Sequence, residues 1–438
     1  MNHLRLPLHR AIVVVGILSA LLRVDQILAQ QPSADATNLK LIQQLANHKK
    51  VQSAFTIIDA LEPQTLRDHI YLAEIPAPPF KETVRAAAYK KLLEEAGADD
   101  VSIDSVGNVL AWRKGTIGKK TIALDAHLDT VFPEGTDVTV KHRGDTLLAP
   151  GICDDTRGLA VVLTILRALE KAQIETKENL LIIGSVGEEG AGDLRGVKAL
   201  FRNPAIKIDS WISVDGGGGS IGDIVNAGTG SIRYKVIVRG PGGHSWASFG
   251  LGNPHHLLAR AVHYFDEAAN VYTASGLKTS YNVGRIGGGT SVNSIPFESW
   301  MEVDMRSEDP QRLNEINEIF LKSVEHARVE YNAQTQSKSP ALTVDVQRIG
   351  YRPSGTTPAD QPLVKQSLAA AAHFGAPLSL HFESTNSNIP ISLGIPAVTL
   401  NLGGQGGNPH ALSEWWVNDR GAEGIKMILL VVLAQAGM

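Results

Sequence analysis

The chain has 438 residues, 43% of them hydrophobic and 20% charged, with 41 Lys and Arg against 45 Asp and Glu and a formal net charge of −4. That composition fills a core, and the length suits two domains better than one, so a disordered chain is excluded. The slightly acidic balance gives no reason to expect nucleic acid or an anionic membrane surface as partner. A single cysteine, Cys153, excludes an intramolecular disulfide and a thiolate-rich metal site, and reads as a small buried filler.

At the N-terminus Arg5, His9 and Arg10 precede the apolar stretch Ile12–Leu22, which is short for a bilayer span, and Ala29 stands before Gln30-Gln31-Pro32. Residues 1–29 therefore read as a secretory signal peptide, which predicts a secreted or periplasmic protein with no membrane contact after cleavage. An uncleaved anchor is the alternative, because Arg23, Asp25 and Ile27 are unusual before a cleavage site.

Helical periodicity runs from Ala36 to Arg67, and Thr83–Ala96 reads as a second helix closed by Gly97. Short strands are expected around Val101–Ile103, Val109–Arg113 and Ile122–Ala126, followed by a helix over Leu159–Lys171. Leu180–Val186 and Trp211–Val214 are apolar throughout, as in parallel strands buried on both faces. Strands alternating with helices in this way predict a doubly wound α/β sheet over 36–227.

The pattern changes near Gly228. Strands are expected at Ile232–Arg239, Thr279–Ile286, Trp300–Met305 and Leu342–Ile349, with helices at Asn253–Tyr272 and Pro310–Val329. The order β-α-β-β-α-β is that of a ferredoxin-like α+β unit, inserted over 228–350. The α/β pattern resumes over 351–438, with helix Pro362–Phe374 and strand Pro396–Leu402, so the first domain is discontinuous.

The chemistry gathers where apolar runs stop. Ile122–Ala126 leads into His127-Leu128-Asp129, Leu180–Val186 into Glu188-Glu189, and Trp211–Val214 into Asp215. Asp154-Asp155 follows Gly151, and His410 follows Pro396–Leu402 and a glycine-rich loop. Ligands of open α/β sheets bind beyond the carboxyl ends of the strands, so these segments describe one mouth. In extended chain, residues 127 and 129 share a side, which lets the Asp129 carboxylate hold the far nitrogen of His127. Each feature has a plainer reading: a core-satisfied histidine, or a helix N-cap for Asp154-Asp155. Glu188-Glu189 resists one, because adjacent glutamates at a strand end repel unless a cation lies near. Two histidines and three carboxylates can hold two metals if one carboxylate bridges, leaving a glutamate as general base. Zinc suits such donors, and cobalt or manganese also fits.

The segments "LDAHLDTVF", "APGICDDTRGLA", "SVGEEG", "SVDGGG" and "NPHALSEWW" resemble, in order and spacing, the motif series of the dizinc exopeptidases and deacylases. That family includes peptidase T, carboxypeptidase G, aminoacylase, acetylornithine deacetylase and succinyl-diaminopimelate desuccinylase. The resemblance implies Asp154 as bridging ligand, His127 with Asp215 on one metal, and Glu189 with His410 on the other. It implies that Asp129 orients the first site, that Glu188 is the general base, and that a cis peptide follows Asp154. It further implies that the inserted unit is a lid and a homodimer contact, with His244 of "RGPGGHSW" steadying the oxyanion, often across a dimer. Asn293 of "GGTSVNSIP" and Arg306 of "VDMRS" match positions that grip the substrate, although turn chemistry and a strand-end surface charge are their plainer readings.

Two departures stand out. Thr156-Arg157 replace a common lysine, and Asn386 replaces an aspartate that many relatives carry near the substrate. Both bear on substrate choice and neither on metal. The implied reaction is hydrolysis of a peptide or N-acyl amino-acid amide bond, and Asp215 inclines the reading toward peptides. A small-metabolite deacylase is the alternative, and a non-catalytic peptide-binding relative a more distant one.

Overall fold

The computed structural model describes residues 32–335 and 339–438, so the expected signal peptide lies outside the described residues. Four strands, Asn179–Ser185, Thr121–His127, Ser210–Val214 and Ala397–Leu400, lie side by side in that order and all run parallel. Their residues are buried almost without exception. Period-two alternation divides them between two cores. Ile122, Leu124, Leu180, Ile182, Ile212 and Val398 pack with helices Thr156–Lys171 and Gly421–Ala436. Ala123, Leu181, Ile183, Trp211 and Ala397 pack on the opposite side with Val197 and Leu200 of helix Arg195–Arg202. Both faces are therefore covered by helices, which is why the strands read as unbroken apolar runs.

The sheet is mixed, not wholly parallel. Asp100–Ile103 and Val109–Arg113 extend it as an antiparallel hairpin at one edge. Asp223–Gly228 joins antiparallel to Ala397–Leu400 at the other, with Ser379–Glu383 parallel beyond it. The periodicity expected to run unbroken from Ala36 to Arg67 is two helices, Ala36–Ala46 and Lys49–Ala73. Asp35 accepts from the Asn38 amide to start the first, and His48 at ψ 134° interrupts the helical backbone. Gly421–Ala436, an additional helix, is buried nearly all round, and a helix of that kind carries no amphipathic period to read.

Residues 230–352 form a second sheet, in the order Thr279–Gly288, Glu298–Ser307, Gly230–Arg239, Thr343–Arg352, antiparallel throughout. Helices Pro254–Thr273 and Pro310–Gln334 cover one face and supply their own core with Leu257, Phe265, Ile316 and Phe320. This is the split βαβ connectivity read from the sequence. The residues from Pro32 onward pack as one compact unit. Among the described residues no helix is long and apolar enough to cross a membrane.

Candidate metal centre

Because the four central strands are parallel, their carboxyl ends open on one edge, and the chain releases its acidic and imidazole groups there. His127 is the last residue of its strand, Glu188 and Glu189 follow Ser185, and Asp215 follows Val214. Asp154 arrives on the loop before helix Thr156–Lys171, and its bond to Asp155 is cis. His410 comes from a loop with a backbone φ of 64°, a left-handed conformation uncommon outside glycine.

Asp154 stands between the two histidines. One carboxylate oxygen lies 2.9 Å from His127 Nε2 and the other 3.1 Å from His410 Nε2. Asp215 Oδ1 is 3.9 Å from His127 Nε2, and Glu189 Oε1 is 3.0 Å from His410 Nε2. The candidate ligand atoms of His127, Asp154 and Asp215 lie within 4.8 Å of one another, as do those of Asp154, Glu189 and His410. Asp154 belongs to both groups.

The electrostatics describe a surfeit of negative charge. Burial pushes Asp215 well above the usual carboxylate range, and neighbouring Asp154, Glu188 and Glu189 push it further against the pull of His127. Burial likewise lifts Glu188 to about 7, with the Arg352 guanidinium opposing. Burial also works against ionised Asp154, but its hydrogen bonds to both histidines outweigh this and hold it well below normal. His410 is raised to about 10 by its hydrogen bonds to Asp154 and Glu189. Carboxylates crowded like this are relieved by cations, and imidazole with carboxylate is the donor set of zinc, cobalt and manganese sites. The residues therefore fit two divalent ions sharing Asp154.

Asp129 departs from expectation. Its carboxylate is 3.8 Å from His127 Nδ1, and the backbone carbonyl of Asp129 takes that nitrogen at 3.0 Å. The carboxylate turns instead to the Glu188 and Glu189 amides, accepting from them at 3.0 and 2.9 Å. Two backbone N–H groups converging on one buried anion satisfy it better than one imidazole would. The imidazole is still oriented from residue 129, but by the main chain. Asp155 completes the arrangement by accepting from the His127 amide at 2.8 Å.

A cavity of about 470 Å³ opens over the centre, lined by Asp154, Glu188, Glu189, Asp215 and His410 together with Arg233, Arg306 and Arg352. Arg306 lines this cavity, with its Nε on Asp304. His244 and Asn293 do not. They sit together on an exposed ribbon, where Gly243-His244 pairs with Ser294-Ile295, and His244 Nδ1 accepts from the Trp246 and Ala247 amides. Asn386 is not part of the cavity lining and is buried with its Nδ2 on Asp125 and Ser185. Arg157 is buried with its guanidinium 4.5 Å from the Trp416 ring.

Three groups at the site carry no expectation from the sequence. Arg352 bonds Glu188 Oε1 at 3.0 Å, the Glu188 carbonyl, and Ser384. Arg233 donates to Asp304 and to the Gly190 carbonyl. Glu414 accepts from three amides of the Asp154 loop. The only sequence signal for Arg352 is a charge ending an alternating strand. For Glu414 it is proximity to His410.

The model of Peptidase family M20/M25/M40 matches residues 123–434. The chain is 25% identical over 360 residues to the uncharacterized protein YqjE of Bacillus subtilis (strain 168), covering 78% of this chain and 91% of that one. Its fold is similar to that of aminopeptidase PepT from Bacillus cereus ATCC 10987, with TM-score 0.66 and 21% identity over 85% of this chain and 98% of the other. It is also similar to Bacillus subtilis YXEP, a dinuclear metal binding peptidase of the M20 family, with TM-score 0.62 and 16% identity over 86% and 99%.

Proposed function

This chain belongs to peptidase family M20/M25/M40, and from that premise we propose that it is an exopeptidase that cleaves a peptide or N-acyl amino-acid amide bond with water. The observation that carries the reading is Asp154, which offers one oxygen toward each of two histidines while Asp215 and Glu189 stand beside them. His127, Asp154 and Asp215 would hold one divalent ion, and Asp154, Glu189 and His410 the other. When bound, the pair would polarise the scissile carbonyl and make water more acidic. Zinc is the first expectation for both.

Glu188 is the proton carrier. In the metal-free chain burial lifts its carboxyl to about 7 and bound cations would favour its ionised form, so it would be a carboxylate able to take a proton from water and later return it to the leaving nitrogen. Arg352 keeps the Glu188 side chain in place through bonds to both its carboxylate and its carbonyl. Arg306 faces the same cavity and would receive the substrate's carboxylate or carbonyl. The unit over 228–350 is read as a lid. A second copy of the chain covering the exposed Trp246 and Phe249 would give His244 and Asn293 a route to the site, which supports the expectation of a dimer. A secreted or periplasmic location follows from the expected signal peptide.

The test is release of amino acids from di- and tripeptides and from N-acyl amino acids by the mature chain after addition of zinc or cobalt. Glu188→Ala should lower turnover by about 10²–10⁴-fold while leaving metal content unchanged. Normal turnover by that variant removes Glu188 as the base.

A further inference from the structure

Glu414 is almost fully buried, yet it is neither one of the candidate ligands nor part of the cavity lining. Its Oε2 accepts from the Gly151 amide at 2.8 Å, and its Oε1 from the Cys153 and Asp154 amides at 2.7 and 2.9 Å. Those three donors belong to one loop, the loop that delivers Asp154. About 260 residues of sequence separate Glu414 from it, so this contact is made only by the folded chain.

The other end of the same residue is tied to His410. The Glu414 amide donates to the Ala411 carbonyl, and the Ala411 amide to the Asn408 carbonyl. Asn408 and His410 both have φ near 60°, a conformation that persists only where neighbouring contacts over-determine it. Beyond Glu414, Trp415–Val417 pairs with Thr146–Leu148, and the Ala149 amide donates to the Glu414 carbonyl. The strand pairing brings the two loops together, and the carboxylate sets the loop bearing Asp154 against the segment bearing His410.

We propose that Glu414 is a positioning residue for the metal pair: it fixes the two oxygens of Asp154 relative to His410, so that both ions find their shared ligand already in place. This rests on the reading of Asp154 and His410 as ligands. A carboxylate is required because all three partners are donors. In Glu414→Gln the amide NH2 must face at least one backbone N–H, setting donor against donor. Groups that orient ligands from behind in this way typically cost about 10- to 100-fold in metal affinity when altered.

The experiment is a cobalt(II) titration of the full-length mature protein after metal depletion, followed by visible absorption. Wild type should saturate at two ions per chain. Glu414→Gln should bind cobalt about 10- to 100-fold more weakly, with kcat and KM restored to near wild type at saturating cobalt. Wild-type cobalt affinity in that variant, or a loss that excess cobalt does not repair, overturns the proposal. A lowered thermal midpoint of the metal-free variant with unchanged cobalt affinity also overturns it, because that is the signature of a purely structural residue. If Glu414→Gln does not fold, Glu414→Asp keeps the charge on a side chain too short to reach all three amides. It should show a weakening in the same direction, and unchanged affinity there is equally fatal. A wild-type protein that takes up no cobalt would remove the metal reading itself, and this inference with it.

Discussion

Asp129→Asn isolates the contact that departed most from expectation. In the folded chain the fully buried Asp129 carboxylate accepts from the Glu188 and Glu189 amides at 3.0 and 2.9 Å. Hydrogen bonds to an ionised acceptor contribute about 1.5–3 kcal/mol each. Asparagine keeps one acceptor oxygen and turns its NH2 toward the other amide, so one bond is lost and one buried N–H is left without a partner. The expected cost is about 2–3 kcal/mol, between one and just over two orders of magnitude in the folding equilibrium. Urea unfolding of the metal-free protein should show a lower midpoint at unchanged m-value. Because the two amides belong to the proposed base and a proposed ligand, affinity for a divalent metal should fall as well. If Asp129 instead acted on His127 through its carboxylate, the unfolding midpoint would move little while the histidine's environment changed. A variant within about 0.5 kcal/mol of wild type, the range of ordinary surface substitutions, refutes the reasoning.

Arg352→Met leaves Glu188 buried without its cation and drives its carboxyl further above about 7, so the cost of breaking the buried pair, up to about 3–5 kcal/mol, should appear only at alkaline pH where wild-type Glu188 is ionised (both side chains are close to 5% exposed). Most of that loss should disappear in a Glu188→Gln background, measured as a double-mutant cycle in urea. Additive effects would show that the pair is not coupled. The metal-free protein should lose stability as pH rises. His410, raised to about 10, gives a contribution complete below its unfolded value near 6.5 and lost as pH climbs through 10. Glu188, raised to about 7, holds its proton longer when folded, so stability also falls between about 4.5 and 7. Unfolding midpoints across pH 5–9.5, without and with zinc, should show this decline only in the metal-free form. Bound metal needs deprotonated ligands and so gains affinity as pH rises. A metal-free protein that becomes more stable toward pH 9.5 contradicts the ionisation states described for the centre.

The candidate site was legible to the extent that it lies at strand ends. Apolar runs that stop at His127, at Glu188-Glu189 and at Asp215 announce both the strands and the chemistry, because strands of a parallel sheet buried on both faces are mostly apolar and ligands bind beyond their carboxyl ends. His244 and Asn293 are expected near the substrate from the resemblance and not from strand ends, and within one chain they lie on the exposed ribbon in which Gly243-His244 pairs with Ser294-Ile295. Asn386, set near the substrate by the resemblance alone, is buried with its Nδ2 on Asp125 and Ser185, a long-range contact that a loop sequence does not record.

What the sequence determined by itself was therefore the order of elements, the split βαβ unit and the identity of the groups gathered at the mouth, all of which follow from local periodicity and the points where it breaks. Which atoms of those groups meet depends on how the distant loops pack. That Asp129 holds two amides rather than an imidazole, that Arg352 closes on Glu188, and that Glu414 reaches the Asp154 loop are contacts between segments 59 to 263 residues apart. Hydrogen bonds are short-ranged and directional, so no local pattern records them. They exist only once packing has brought the loops together.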